Sequence, residues 1–299
     1  MVSEGMKRVI DLLKQQNEQD TKKRIEDGRK AMEQMAQMEK FPKDVNFDEI
    51  NVNGIPSLWI STPEVVKEHV VLYLHGGGYV EGSRNTHKGL GYRISQVSKS
   101  RILLIDYRLA PENPYPAALE DSVAAYRWLI DIEGINPKNI VISGDSAGGG
   151  LTAATILKLR DTGVELPAGG VLLSPWTDLD ITGDSVRTKR RIDPFIDAGG
   201  LFFMANLYAG DEDLKNPYIS PLYADLMGLP PLLIQVGSAE VILDDSTRFA
   251  EKAKSAGVDV TLEIWEDMVH VFQAFALWAP EGEQAIEKIG EFIQKLMKE

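Results

Sequence analysis

The sequence feature that most restricts the fold is the pentapeptide Gly-Asp-Ser-Ala-Gly at residues 144–148. A strand-like apolar run, residues 140–142, precedes it, and a helix-compatible segment, residues 151–159, follows it. A serine on a sharp turn from strand to helix needs a strained backbone with positive φ and small residues two positions away on either side. The pentapeptide therefore predicts a nucleophilic Ser146 at a helix N-terminus, where free N–H groups favour negative charge. The alternative is a glycine-rich turn with a capping side chain.

A second glycine motif, His-Gly-Gly-Gly-Tyr at residues 75–79, follows the buried-strand pattern of residues 70–74. Successive glycines expose backbone N–H groups, and preorganised donors of this kind stabilise the oxyanion of acyl transfer by ~3 kcal/mol each. We expect Gly77, Gly78 and Ala147 to form this oxyanion hole. The alternative, a phosphate-binding loop, needs a lysine followed by serine or threonine, or the longer G-x-G-x-x-G spacing. Neither pattern occurs at this motif.

The chain has four histidines, His69, His75, His87 and His270. In hydrolases built on a serine turn of this kind, the chain order is serine, then acid, then histidine. Only His270 lies beyond the serine, so it is predicted to be the general base. His75 is expected to brace the glycine motif by hydrogen bonding, and His69 and His87 are expected at the surface. No histidine pair has metal-ligand spacing and the chain has no cysteine, so no metal site is predicted.

The acidic partner of this histidine is expected in a loop after a core strand. The apolar run at residues 232–236 is the only strong strand pattern in the right interval, and the loop after it contains Glu240. Glu240 is therefore the predicted triad acid. Asp244 is the competing candidate. It stands with Asp245 at the start of an amphipathic helix, residues 246–255, where carboxylates also act as caps or complement the helix dipole.

Three motifs together resemble those of the hormone-sensitive-lipase-like family of bacterial and archaeal esterases. They are His-Gly-Gly-Gly at 75–78, Asp-Tyr-Arg-Leu-Ala-Pro-Glu at 106–112 and Gly-Asp-Ser-Ala-Gly-Gly at 144–149. The resemblance spans nearly the whole core and implies an α/β-hydrolase fold, a helical cap, and hydrolysis of carboxylic esters with short or medium acyl chains, without a cofactor. The chain departs from the family at the acid, where the usual Asp-Pro-Leu is replaced by Glu240-Val241-Ile242. Within the second motif, Arg108 and Glu112 are expected to form an internal ion pair.

The order of strand and helix patterns predicts the fold class. After a first hairpin at residues 45–61, apolar strand patterns alternate with helical ones, among them a helix at 117–131, a last strand at 258–265 and a closing helix at 283–298. This rhythm predicts an α/β fold with a doubly wound, mostly parallel sheet of about eight strands. The reactive groups then lie at the carboxyl ends of the strands, where open α/β sheets bind ligands.

Two segments without strand patterns are predicted to form a helical cap. Residues 1–45 form the N-terminal cap segment, residues 183–217 the second cap segment, and residues 46–182 and 218–299 the core. Such a cap lines the acyl pocket and excludes water. Candidate pocket residues are Tyr79, Phe202 and Phe203, and packing between cap helices is the alternative role for the two phenylalanines. The apolar residues available to one side of the N-terminal helices are Ile10, Leu13, Ile25, Met32, Met35 and Met38.

Charge and composition exclude several classes of partner. The net charge of −13 and a pI near 4.9 oppose binding to nucleic acids or anionic membranes, which need clustered lysines and arginines. No uncharged run reaches the ~18 residues of a membrane span, and the N-terminus lacks a signal-peptide pattern. The absence of cysteine fits a reducing cytoplasm. The expected partners are a small-molecule ester and a second copy of the chain, paired through the last strand.

These observations favour serine-dependent hydrolysis of small carboxylic esters in two steps, through an acyl-enzyme. Two alternatives stay open at this point. One is an amidase or arylformamidase that uses the same residues, and the other is a non-catalytic small-molecule receptor. Receptors on such a fold usually lack a triad residue, whereas serine, acid and histidine candidates are all present here.

Overall fold

Eight strands form one sheet within the part of the chain that the structure, a computed structural model, describes, namely residues 3–8 and 25–298. In chain order they are β1 (Asn46–Val52), β2 (Ile55–Ser61), β3 (Val66–Leu74), β4 (Ser100–Ile105), β5 (Ile140–Asp145), β6 (Gly169–Leu173), β7 (Leu232–Gly237) and β8 (Val260–Trp265). Their order in the sheet is β1-β2-β4-β3-β5-β6-β7-β8. The β1–β2 and β2–β4 pairs are antiparallel, and all the other pairs are parallel.

Helices cover both faces of this sheet. They are α1 (Ile25–Ala36), α2 (Lys88–Ser98), α3 (Ala117–Asp131), α4 (Ala147–Asp161), α5 (Ser185–Thr188), α6 (Ala198–Ala209), α7 (Leu243–Ser255) and α8 (Pro280–Leu296), and residues 4–8 are also helical. Apolar side chains of α3, α4, α6 and α7 join one core cluster, and those of α2 and α8 join a second cluster on the opposite face. The predicted α/β fold with a mostly parallel sheet of about eight strands is therefore confirmed.

The sheet places four chain segments at the carboxyl ends of its central strands. β5 lies between β3 and β6, and every residue of β5 is buried, as expected for a central parallel strand with helices on both faces. In the strand register Leu74 pairs with Gly144, and Asp145 pairs with Leu173. The residues that follow β3, β5, β6 and β7 therefore emerge side by side at the carboxyl ends of the strands.

Several predicted boundaries differ from the observed ones, and the starts of two helices differ most. The closing helix was expected from residue 283 and begins at Pro280, because proline lacks an N–H and its fixed φ suits the first helical position. Helix α7 begins at Leu243, three residues before the expected start. In the N-terminal region, α1 agrees with the predicted helical period, and Met35 and Met38 are exposed. Ile10 and Leu13 lie outside the described residues.

The expected ion pair between Arg108 and Glu112 is wrong. The Arg108 guanidinium instead binds Asp121 on α3, with Nη2 2.7 Å from Oδ1, and also contacts Glu120. Glu112 pairs with Arg29 of α1, whose Nη1 lies 2.8 Å from Glu112 Oε1. The sequence offered the two charges in one motif, but their partners come from two different helices, α3 for Arg108 and α1 for Glu112.

The predicted cap segment at residues 183–217 contains α5 and α6 and no strand. Asp197 caps α6 by accepting the N–H groups of Gly199 and Gly200. The division of the chain into a core and two cap segments stays a prediction. In the described ranges, none of the helices combines the length and the apolar character needed to span a membrane.

Candidate active site

Ser146 occupies the sharp turn between β5 and α4. Its backbone has φ 54° and ψ −120°, in the positive-φ region that side chains rarely adopt. The two flanking glycines are required by close backbone contacts: a Cβ on Gly144 would lie 2.3 Å from the Gly148 carbonyl oxygen, and one on Gly148 would lie 2.0 Å from the Leu74 carbonyl oxygen. The turn therefore presents the Ser146 hydroxyl at the carboxyl edge of the sheet, beside the N-terminus of α4.

The structure brings Ser146, His270 and Glu240 into one hydrogen-bonded chain. His270 Nε2 lies 2.8 Å from Ser146 Oγ, and His270 Nδ1 lies 2.8 Å from Glu240 Oε2. His270 is 2% exposed and Glu240 is fully buried. Burial alone would lower the pKa of His270, but its hydrogen bond to Glu240 and the charge of that carboxylate raise this pKa above its ordinary value. The arrangement can take a proton from the serine and stabilise the resulting imidazolium.

Glu240 is itself held in place by its second carboxylate oxygen. Oε1 accepts hydrogen bonds from the Ser174 hydroxyl, at 2.7 Å, and from the Gly237 N–H. The Ser174 hydroxyl oxygen also accepts the N–H of Val271, the residue after His270, at 3.1 Å. Ser174 thus connects the loop of the acid with the loop of the histidine. Ser174 was not among the residues predicted from the sequence; its position at the end of β6 was the available signal.

The competing carboxylate, Asp244, has other partners. Its Oδ2 accepts the N–H of Ser185 at 2.9 Å, and its own N–H donates to the Ser185 hydroxyl at 3.1 Å. The neighbouring Asp245 is buried and accepts the N–H groups of Thr177 and Asp178, each at 2.8 Å. Both carboxylates therefore bind backbone of adjacent loops, and of the three acids Glu240 is the one that contacts the histidine.

The three predicted oxyanion donors are two glycines with positive φ and the first residue of a helix. Gly77 has φ 115° and Gly78 has φ 62°, and Ala147 is the first residue of α4. A Cβ on Gly77 would lie 2.3 Å from the Glu81 carbonyl oxygen, so a larger residue cannot take its place. Within residues 3–8 and 25–298, no acceptor receives the N–H of Gly77, Gly78 or Ala147. These three groups are the ones that a developing oxyanion could engage.

A buried network supports the glycine motif from Asp145, the residue before Ser146. Asp145 Oδ1 accepts the Tyr73 hydroxyl at 2.8 Å and the Gly76 N–H at 3.1 Å, and Oδ2 lies 3.3 Å from His87 Nε2. The expectation that His87 is a surface residue is therefore wrong: its side chain is 11% exposed. Burial would lower the pKa of His87, but Asp145 raises it above its ordinary value.

His75 lies in the same network as a neutral ring. Its Nδ1 is 2.8 Å from the Gly76 carbonyl oxygen, and its ring stacks on Tyr107 at a centroid distance of 4.2 Å. Burial, with the charge of His87, lowers the pKa of His75 to about 3. The Tyr107 hydroxyl donates to the His75 carbonyl oxygen at 2.7 Å, so the second and first family motifs brace each other.

The three candidate pocket residues occupy different environments. Tyr79 is 1% exposed and stacks on Tyr208 of α6, with ring centroids 3.7 Å apart. Phe202 and Phe203 are 60% and 53% exposed, and their role stays a prediction. Met204, which was not among the predicted pocket residues, lies against Gly78, because a Cβ on Gly78 would be 2.1 Å from its sulfur. Met204 thus brings the predicted cap into contact with the candidate site.

Comparison with known proteins agrees with this geometry. A family model described as alpha/beta hydrolase fold matches residues 71–274, more than half of the chain. An acetyl-hydrolase from Streptomyces hygroscopicus is 41% identical over 247 residues, which cover 83% of this chain and 82% of that protein. The crystal structure of an esterase from the bacterial hormone-sensitive lipase family is 46% identical, covers 99% of both chains and superposes with a TM-score of 0.96. The structure of EstE5, from a crystal soaked in p-nitrophenyl butyrate, is 45% identical, covers 99% of this chain and 100% of that one, and has a TM-score of 0.94.

The fold and these matches establish that the chain belongs to the α/β-hydrolase family. Within that family, the resemblance of its motifs to the bacterial hormone-sensitive-lipase esterases is confirmed.

Proposed function

We propose that this chain is a carboxylesterase that hydrolyses small carboxylic esters through an acyl-enzyme. The observation that carries this proposal is the chain of two 2.8 Å contacts from Ser146 through His270 to Glu240, beside three N–H groups without an acceptor in the described residues. The relatives named acetyl-hydrolase, esterase and carboxylesterase support the same activity. No observation favours the amidase or receptor alternatives.

In the first step, Ser146 Oγ attacks the carbonyl carbon of the ester while its proton passes to His270 Nε2. The carbonyl oxygen becomes an oxyanion, which would accept hydrogen bonds from the N–H groups of Gly77, Gly78 and Ala147. Collapse of the tetrahedral intermediate breaks the ester C–O bond, and the proton on His270 passes to the departing alkoxide oxygen. The alcohol leaves, and the acyl group stays on the serine oxygen.

In the second step, a water molecule takes the place of the alcohol. His270 Nε2 removes one of its protons while the water oxygen attacks the acyl carbon, and the same N–H groups receive the second oxyanion. The bond to Ser146 Oγ breaks, the proton returns to that oxygen, and the carboxylic acid leaves. Glu240 keeps Nδ1 of the imidazole protonated throughout and offsets the positive charge of the ring.

Short and medium acyl chains are the substrate class that fits the surroundings of the site. Met204 lies against Gly78, and buried Tyr79 and Tyr208 stack next to the glycine motif, so apolar side chains border the predicted oxyanion position. The soak of EstE5 with p-nitrophenyl butyrate and the acetyl-hydrolase name of another relative support esters of this size.

The decisive experiment compares two serine variants on neighbouring positions. Ser146→Ala deletes the proposed nucleophile without adding bulk and should lower kcat for p-nitrophenyl acetate and butyrate by ~10⁶-fold. Ser143→Ala removes a hydroxyl from β5, the strand before this turn, where Ser143 Oγ is buried without a partner in the described residues, and should keep near wild-type kcat. Retention of more than about a hundredth of wild-type kcat by Ser146→Ala would contradict the covalent mechanism.

Three further features belong to this proposal. The segments 1–45 and 183–217 act as a cap over the ester, the protein works in the cytoplasm, and two copies pair through β8. Contacts of the cap segments with the site support the first of these, and the position of β8 at the edge of the sheet supports the last. Fractionation of cells that express the chain at its native level tests the location.

A further inference from the structure

The second cap segment touches the loop of the candidate acid through a buried carboxylate. Asp193 is 8% exposed and divides its oxygens between two loops. Oδ1 accepts the N–H groups of Phe195 and Ile196, at 2.8 and 3.0 Å, within the cap segment itself. Oδ2 accepts the N–H of Val241, the residue directly after Glu240, at 2.8 Å. One charged side chain thus fixes a cap turn and the acid loop relative to each other.

A second contact joins the same two segments on the other side of Val241. The Ser185 hydroxyl donates to the Val241 carbonyl oxygen at 2.7 Å, and the Ser185 N–H donates to Asp244 Oδ2 at 2.9 Å. The N–H of Val241 is therefore held by Asp193 and its C=O by Ser185, both from residues 183–217. The position of the peptide that follows Glu240 depends on the cap segment.

The turn that Asp193 closes also carries an aromatic neighbour of the histidine. The Phe195 ring lies 5.8 Å from the His270 ring, centroid to centroid, at an interplanar angle of 42°. Because the Phe195 N–H is bound by Asp193 Oδ1, the same carboxylate sets the place of this ring. The acid and the base of the candidate triad are thus both adjacent to groups that Asp193 holds.

We propose that Asp193 is a positioning residue for the triad: it fixes the acid loop at Val241 and the Phe195 side of His270, and couples the cap segment to catalysis. The inference rests on the proposed function. In this proposal Asp193 does not contact the substrate. Its effect passes through Glu240 and His270, whose spacing of 2.8 Å leaves little tolerance for displacement of either loop.

The charge of Asp193 gives the proposal a signature that a structural turn lacks. The carboxylates around His270 are Glu240 on the acid loop, Asp193 on the cap segment and Asp145 at the end of β5, and each raises the pKa of His270. Replacement of Asp193 by asparagine removes one of these charges, so the pKa of His270 falls. Because the general base must be neutral, the acid limb of kcat/KM then moves to lower pH.

Asp197 supplies a matched control four residues away. It also accepts two backbone N–H groups, those of Gly199 and Gly200, and it also belongs to the second cap segment. Its contacts stay within α6 and do not reach the acid loop. Asp193→Asn and Asp197→Asn therefore make the same chemical change in two carboxylate-bound turns, and only the first turn joins the cap to the triad.

The test uses the full-length chain and p-nitrophenyl butyrate. Asp193→Asn should lower kcat by about tenfold to a hundredfold, since small misplacements of reacting groups have effects of this size, and should move the acid limb of kcat/KM to lower pH. The pKa of the His270 imidazole, followed by NMR titration and assigned with His270→Asn, should fall in parallel. Asp197→Asn should keep the wild-type limb and the wild-type pKa.

Equal behaviour of the two asparagine variants would overturn the inference. If Asp193→Asn does not fold, Asp193→Glu decides instead, because it keeps the charge but lengthens the side chain. Its kcat should fall at least about fivefold, while the acid limb of kcat/KM stays in place. A wild-type kcat for Asp193→Glu would reject the positioning role. Failure of the proposed function has a different result, because the wild-type chain would then hydrolyse no ester or Ser146→Ala would stay active.

Discussion

Two carboxylates four residues apart, Glu240 and Asp244, differ in whether they contact the histidine. Glu240 contacts His270 at 2.8 Å, whereas Asp244 binds Ser185 of the second cap segment. Glu240→Gln should lower kcat ~10²- to 10⁴-fold with little change in KM, because an amide cannot offset the imidazolium charge and favours the wrong tautomer. Asp244→Asn should lower kcat by less than about tenfold, since asparagine still accepts a backbone N–H.

Steady-state kinetics on one ester, with both variants checked for a native melting transition, would decide between them. The reverse ranking, with Asp244→Asn inactive and Glu240→Gln mild, would assign the acid to Asp244. A glutamate at this position is one methylene longer than the aspartate usual in the family, and the Ser174 hydroxyl holds its second carboxylate oxygen at 2.7 Å.

The sequence predicted the residues whose chemistry is unusual or scarce. Ser146 was predicted from its glycine neighbours, and His270 was predicted because it is the only histidine after Ser146 in the chain. The structure brings both together with Glu240. Their catalytic roles stay predictions. Ser174 and Asp193 could not be found this way, because serines and aspartates are common in loops and their importance depends on which distant backbone groups they meet. The wrong pairing of Arg108 has the same cause, since the sequence does not show which helix supplies its partner.

Arg29 of α1 binds the residue that follows the glycine motif and also the second family motif. Arg29 Nε donates to the Val80 carbonyl oxygen at 2.7 Å and Nη2 to the Ala110 carbonyl oxygen at 2.9 Å, and the guanidinium also binds Glu112. The Arg29 bond lowers the pKa of Glu112 to about 2. Val80 and Ala110 are fully buried, so loss of the arginine leaves buried carbonyls without their partner.

We therefore expect Arg29→Met to lower kcat/KM for p-nitrophenyl butyrate in a protein that still folds, with a reduced Tm. Each buried carbonyl left unpaired costs ~1–3 kcal/mol of folding free energy, which lowers Tm by a few degrees. Displacement of the glycine motif would in addition move the proposed oxyanion donors and lower turnover directly. Lys30→Met is the control, because it removes an exposed cation from the next position of the same helix. Indistinguishable kcat/KM values for the two variants would show that α1 does not position the glycine motif.

Element type was predictable from periodicity, and element ends were predictable only in part. The helix expected at residues 117–131 is observed as Ala117–Asp131. In contrast, β3 begins at Val66, before the apolar run that signalled it, because Val66 pairs with Ser100 across a register shift. The intervening residues 67–69 are polar, so their sequence resembles a loop, and only the partner strand makes them part of the sheet.

β8 is the last strand of the sheet, and its outer side is available to a partner. The N–H groups of Leu232 and Ser238 donate to the carbonyls of Asp259 and Trp265, so these alternate backbone groups of β8 face β7. The backbone groups of residues 260, 262 and 264 therefore face outward. In β8 the side chain of Ile264 is also 49% exposed. A second copy across a two-fold axis is one way to satisfy the outward backbone groups of an edge strand.

We predict a homodimer formed through β8, and Ile264 is the position that tests it. Ile264→Pro removes an outward N–H without breaking a bond to β7, and proline is tolerated on an edge strand whose N–H points away from the sheet. This variant should be monomeric by light scattering at micromolar concentration, while wild type is dimeric. Ile264→Val, which keeps the N–H and most of the side chain, should remain dimeric. A monomeric wild-type protein would reject the dimer, and a dimeric Ile264→Pro would place the interface on another surface.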